Sequence, residues 1–120
     1  MLRMLQMIKR KDYVESLRSE LKIIRKKLHD STQGDSVSSA DGNNGASSIL
    51  KHYEGMEYVV REAVKNLEMG KPVCEIEQSL IINEARFRKI IQSKGEEISS
   101  WQSYARGGME GVVIVRALIA

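Results

Sequence analysis

A polar stretch of eighteen residues divides this chain of 120 residues into two apolar parts. Residues 31–48 consist of Ser, Thr, Gln, Gly, Asp, Asn and Ala, and Val37 is their only large apolar residue. Because such a segment buries too little apolar surface to offset the entropy lost on ordering, we expect a flexible linker there. The sequence therefore predicts two regions, residues 1–30 and 49–120, joined by a tether.

The first region has the apolar spacing of one long amphipathic helix over residues 2–30. The spacing is that of a short coiled coil. The expected contact positions are Met7, Val14, Leu17, Leu21, Ile24 and Leu28. About 29 helical residues extend about 43 Å, which is longer than a small core covers. We therefore expect this apolar stripe to pair with a second copy, as a homodimer or higher oligomer. The alternative is a helix that packs on its own domain.

The residues after the linker have the spacing of a small helical domain. Apolar side chains recur every three or four positions from Ile49 to Leu67, and Gly70 and Pro72 then mark a helix end and a helix start. The further expected elements are helices over residues 73–80, 84–94 and 96–105, a turn at 81–83 and a loop over 106–111.

Residues 112–119 are apolar and rich in β-branched side chains. This composition fits a buried strand or a short core helix, and both alternatives stay open. The chain has only one proline, which leaves room for long helices. The predicted fold is therefore mainly α: a long, coiled-coil-like amino-terminal helix (1–30), a flexible linker (31–48) and a small carboxy-terminal helical domain (49–120).

Residues 73–91 resemble the helix-turn-helix of bacterial DNA-binding regulators. The matching positions are Ile76 and Leu80 in the first helix, Ile82 in the turn, and Asn83, Phe87 and Ile90 in the second helix. The resemblance implies a motif over residues 73–94 whose second helix enters the major groove and contacts bases and phosphates. Its outward basic residues are Arg86, Arg88, Lys89 and Lys94. The alternative is a plain helical hairpin, because Ile81 stands where the family prefers glycine.

Positive charge is concentrated at the amino terminus. Residues 1–30 carry nine Lys and Arg against four acids, whereas the whole chain has a net charge of +3. Such an arm attracts nucleic acid or an acidic protein. We expect an oligomeric DNA-binding regulatory or accessory protein. The alternative is a non-enzymatic structural or adaptor protein, of the kind that viruses and mobile elements encode, which acts through self-association and protein partners. The mixed charges of residues 54–62 are expected to form a solvated helix face.

No residue set indicates catalysis, a cofactor or a metal site. His29 and His52 lie on opposite sides of the linker, and Cys74 is the only cysteine, which excludes an internal disulfide and fits a reducing compartment. The most apolar run, residues 112–119, is far shorter than the roughly 20 residues that span a bilayer. We therefore expect a non-enzymatic, intracellular protein without a membrane contact, in the cytoplasm or with DNA in the nucleoid or nucleus.

Trp101 and Tyr104 stand three residues apart, close to Arg106. The expected role of both rings is core packing. The alternative is stacking on a nucleic-acid base, although aromatic and basic residues do not alternate along the chain as they do in single-strand-binding surfaces.

Overall fold

A computed structural model describes residues 2–38, 44–92 and 100–119, and the surroundings of side chains 9–30, 49–92 and 101–119. These residues form four helices: α1 (Leu2–Ser38), α2 (Asn44–Glu68), α3 (Val73–Gln92) and α4 (Ser100–Ile119). The described part of the chain contains no strand. The mainly α prediction is confirmed, and residues 112–119 belong to a helix.

The chain reverses its direction between α2 and α3 because of two residues, Gly70 and Pro72, that are recognisable in the sequence. Gly70 adopts a positive φ of 84°, which glycine reaches without a steric penalty. The amide of Gly70 donates to the carbonyl of Leu67 (3.1 Å), and the amide of Lys71 donates to that of Asn66 (3.0 Å). This is the hydrogen-bond pattern of a Schellman helix end. Pro72 then precedes the first residue of α3, so the predicted break is confirmed.

All four helices contribute to one hydrophobic core. α2 lies between α1 and α4, and α3 packs mainly against α4. The most deeply buried side chains are Leu17 of α1, Val59, Val60 and Leu67 of α2, Ile76 of α3, and Val112 and Val115 of α4. The amino-terminal helix is therefore part of the same folded unit as the rest of the chain.

This packing uses most of the side chains that were expected to form the coiled coil. Leu17, Leu21 and Ile24 are buried in the core of their own chain, and Val14 and Leu28 are partly buried against it. The side chain of Met7 lies outside the described residues. The core of one molecule therefore covers Leu17, Leu21 and Ile24, which agrees with the alternative of a helix that packs on its own domain. Pairing with a second copy stays a prediction.

Much of the predicted linker is helical. α1 continues to Ser38 and α2 begins at Asn44, whereas residues 39–43 of the predicted linker lie outside the described residues. Extending an existing helix by one residue costs far less than nucleating a new one. Low apolar content alone therefore did not identify a linker in residues 31–38 and 44–48.

The expected loop over residues 106–111 is also wrong, because α4 runs through it. Its glycines are points of close helix contact. Gly107 lies against the backbone carbonyl of His52 on α2, and Gly108 lies against the ring of Phe87 on α3. Across the same interface, Gly55 of α2 contacts the backbone carbonyl of Tyr104. Side chains at these positions would separate the helices, so the glycines serve packing rather than a turn.

The helix-turn-helix is not formed. α3 runs without interruption through the expected turn at residues 81–83. No described residue other than glycine has a positive φ, so Ile81 does not adopt the turn conformation of the motif. Positive φ is especially unfavourable for a β-branched residue, which explains why the helix continues.

Candidate nucleic-acid interface

A positively charged groove runs between α1 and α2. Its volume is about 630 Å³, and its apolar lining residues are Leu21, Val64 and Met69. Five basic side chains line it, and we refer to it as the α1/α2 groove: Arg18, Lys22 and Arg25 from α1, and Arg61 and Lys65 from α2.

The spacing of core residues places these cations along one seam. Each basic residue directly follows a buried one: the pairs are Leu17–Arg18, Leu21–Lys22, Ile24–Arg25, Val60–Arg61 and Val64–Lys65. The two helices run antiparallel, since Arg10 reaches the end of α2 while Arg25 reaches Glu57 near its middle. Antiparallel packing of two helices with this pattern brings the cations of both to the same groove.

Carboxylates neutralise only part of this charge. Arg18 pairs with Glu68 at 2.6 Å, and Glu57 lies 3.5 Å from Arg25 and 3.3 Å from Arg61. Within the described part of the chain, neither Lys22 nor Lys65 forms an ion pair. With Glu57 and Glu68 counted, the described side chains of the groove keep an excess of three positive charges.

Arg10 fixes α1 against the carboxyl end of α2. Its guanidinium donates to the carbonyl of Leu67 (3.2 Å) and to that of Lys71 (2.7 Å), at the carboxyl end of α2. A cation at this end of a helix also interacts favourably with the helix dipole. α1 is thus held against α2 by polar contacts as well as by the core.

The residues predicted from the helix-turn-helix lie elsewhere. Arg86, Arg88 and Lys89 are exposed on α3, and Arg88 lies 3.4 Å from Glu84. Lys94 is outside the described residues. The structure therefore keeps three of the four predicted cations on one helix, away from the α1/α2 groove.

The acids of α3 hold α4 in place. Arg116 of α4 donates to Glu77 at 2.8 Å and to Glu84 at 2.6 Å. The hydrogen bond to Glu77, followed by the one to Glu84, raises the pKa of Arg116 above its already high ordinary value. This arginine therefore joins α4 to α3 through two ion pairs.

The aromatic prediction is half right. Tyr104 is partly buried against the core, and this burial, followed by the nearby Tyr58, raises the pKa of its hydroxyl. Trp101, in contrast, is 68% exposed, so the core role expected for it is wrong.

The described residues contain neither a metal site nor a membrane-spanning helix. No group of three or more His, Cys, Asp and Glu among the described residues is arranged to hold a metal ion. No described helix is both long enough and apolar enough to cross a bilayer.

Comparison with known proteins gave no match to a family model, a curated protein or a solved structure. Function is therefore inferred from the chemistry of the α1/α2 groove.

The basic residues of α2 are the part of this groove that the sequence interpretation missed. Arg61 belongs to the mixed-charge face of residues 54–62 that is expected to be solvated, and Lys65 follows that face directly. The available signal was their position, one residue after the apolar positions Val60 and Val64, which repeats the pattern of α1.

Proposed function

We propose that this protein binds nucleic acid and acts as a regulatory or accessory factor inside the cell, with the α1/α2 groove holding the phosphate backbone. The observation that carries the proposal is the convergence of five Lys and Arg side chains on one groove with an excess of three positive charges. Arginine donates to phosphate in a bidentate manner, and lysine neutralises it as a point charge.

The linear arrangement of the cations favours a polymer over a single small anion. Arg18 and Arg25 are seven residues apart, which is about 10 Å along a helix. A row of cations of this length faces several phosphates of a nucleic-acid strand at once, whereas a single small anion contacts only part of it. The basic residues of α2 add a second row on the opposite wall of the groove.

The test is a charge reversal at the two groove lysines that have no ion pair in the described part of the chain. In the K22E/K65E variant we expect affinity for a labelled mixed-sequence oligonucleotide to fall at least about tenfold at low salt, measured by fluorescence anisotropy. R86E/K89E on α3 is the matched control, because it makes the same change in net charge. Circular dichroism checks that both variants stay helical.

The control also decides between the two basic surfaces. Weaker binding in K22E/K65E alone supports the α1/α2 groove. Weaker binding in R86E/K89E alone overturns the groove and favours the α3 residues. Absence of any oligonucleotide binding by the unmodified protein at low salt would contradict nucleic-acid binding altogether.

A second candidate function is that of a structural or adaptor protein. The observation that favours it is a pair of exposed apolar residues on α3, Ile81 (52% exposed) and Ile82 (59%). A second copy or a protein partner that covers them would remove this surface from water. If so, light scattering after size exclusion gives a molar mass above 13.6 kDa, and I81S/I82S restores the monomer. A monomeric wild type would contradict self-association through this face.

A further inference from the structure

Trp101 is an exposed aromatic side chain held by its neighbours. It is the only tryptophan of the chain and lies at the start of α4 with 68% of its surface exposed. Its ring centroid lies 5.9 Å from that of Tyr104, with an angle of 75° between the planes. Because the two rings do not stack face to face, this contact leaves indole surface free for another flat ring.

The support beneath Trp101 is well packed. Tyr104 also contacts the ring of Phe87 at 6.3 Å, and its backbone lies against Gly55 of α2. Phe87 is buried. A tryptophan held in this way loses less conformational freedom when a ligand stacks on it than a tryptophan on a loose segment.

A series of contacts connects Trp101 to the α1/α2 groove. Arg61, which lines the groove, places its guanidinium carbon 5.9 Å from the ring centroid of Tyr58. The ring of Tyr58 lies 6.5 Å from that of Tyr104, which in turn contacts Trp101. Two tyrosine rings, one on α2 and one on α4, thus connect the Arg61 end of the groove to Trp101, with successive separations of 5.9, 6.5 and 5.9 Å.

We propose that the ligand of the α1/α2 groove is a single-stranded nucleic acid and that one of its bases stacks on Trp101. This inference rests on the proposed function. In a duplex the bases are paired and stacked on one another, so an aromatic side chain outside the helix does not reach a base face. A positively charged groove together with an exposed aromatic ring on the same molecule is the combination that binds single strands with little sequence preference.

The test uses the fluorescence of Trp101, which is the only tryptophan in the protein. The protein is titrated with a mixed-sequence single-stranded DNA 20-mer, its RNA counterpart, the matching duplex, and inorganic polyphosphate, which has no bases. We expect strong quenching with at least one of the single strands and little with the duplex or polyphosphate. The DNA and RNA arms identify which of the two is preferred.

Variants separate stacking from charge. For W101A we expect affinity for the preferred single strand to fall about five- to 150-fold, the range that one stacked base contributes, with the salt dependence of binding unchanged. W101F should recover part of the loss. The matched control is V113A, which changes another exposed apolar residue of α4 (64% exposed) and should bind like the wild type.

The outcomes distinguish this inference from the proposed function. If single strand, duplex and polyphosphate bind equally and W101A binds like the wild type, stacking is overturned while the groove remains a polyanion site. If V113A loses as much affinity as W101A, the effect is not due to stacking and the inference also fails. If no polyanion binds, the proposed function itself is wrong.

Discussion

The α1–α2 and α3–α4 interfaces use the same residue types for different purposes. At α3–α4, Arg116 lies at hydrogen-bond distance from Glu77 and Glu84, and Arg88 lies 3.4 Å from Glu84, so two cations face two carboxylates. At α1–α2, Glu57 is shared between two arginines, and Lys22 has no ion pair within the described residues. Where positive and negative side chains balance, their ion pairs join the two helices. Where positive side chains are in excess, some of them remain available to a ligand.

The largest expected effect comes from breaking the packing of α2 on α4, which joins the two interfaces. G107V places a branched side chain against the backbone carbonyl of His52, where α2 and α4 touch. We expect a loss of about 3 kcal/mol or more in the free energy of unfolding, measured by urea denaturation. G70A is the comparison: no atom crowds this site, so its cost comes from positive φ alone and should be about 1–2 kcal/mol. Equal losses would contradict the close-packing role of Gly107.

The second prediction concerns the salt dependence of binding to the α1/α2 groove. Neutralising three to five phosphates of a single strand gives a slope of log K against log salt concentration of about −2 to −3.5. Affinity then falls roughly 20- to 130-fold between 50 and 200 mM salt. K22E/K65E should make the slope shallower by about 1.4, since two phosphate contacts are lost. A flat wild-type slope would exclude phosphate recognition in the groove.

The third prediction contrasts the two interfaces in stability. R116Q removes both ion pairs between α3 and α4, and we expect the unfolding free energy to fall by about 1 kcal/mol, a modest value because these side chains are partly exposed. K22Q should change it by less than about 0.5 kcal/mol. Thermal and urea unfolding measure both. A larger loss in K22Q than in R116Q would reverse the assigned roles.

The smallest expected effect is a gain of affinity. E57Q frees Arg25 and Arg61 from their shared carboxylate, so oligonucleotide affinity should rise about two- to fivefold. E84Q makes the same chemical change on α3 and should leave affinity unchanged. Anisotropy titrations compare the two variants. Unchanged affinity in E57Q would show that these arginines do not reach the ligand.

Local rules predicted the features whose causes lie within a few residues. Gly70 and Pro72 end one helix and begin the next, because positive φ and a missing amide act at single positions. Gly107 carries the same local signal as a turn glycine, yet it lies inside a helix because α2 approaches its backbone. The distinction depends on a neighbour that is distant in the sequence.

The candidate site was predicted only in part. The excess of basic residues in residues 1–30 is visible in composition. Arg61 and Lys65 belong to the site only because α2 lies antiparallel to α1. No short-range pattern in the sequence predicts that these two helices pack together. Trp101 has helical spacing to Tyr104 that fits a buried ring, but its exposure depends on which neighbours cover that position.

The amino-acid sequence by itself determined that the chain is helical, which helix faces are apolar, and where α2 ends, because periodicity and backbone preference act over one or two helical turns. Tertiary packing decided that α1 covers its stripe with α2 of the same chain, that glycines of α4 are contact points, and that two rows of cations face one groove. A periodic pattern specifies which face must be buried, and only the arrangement of helices in space specifies what buries it.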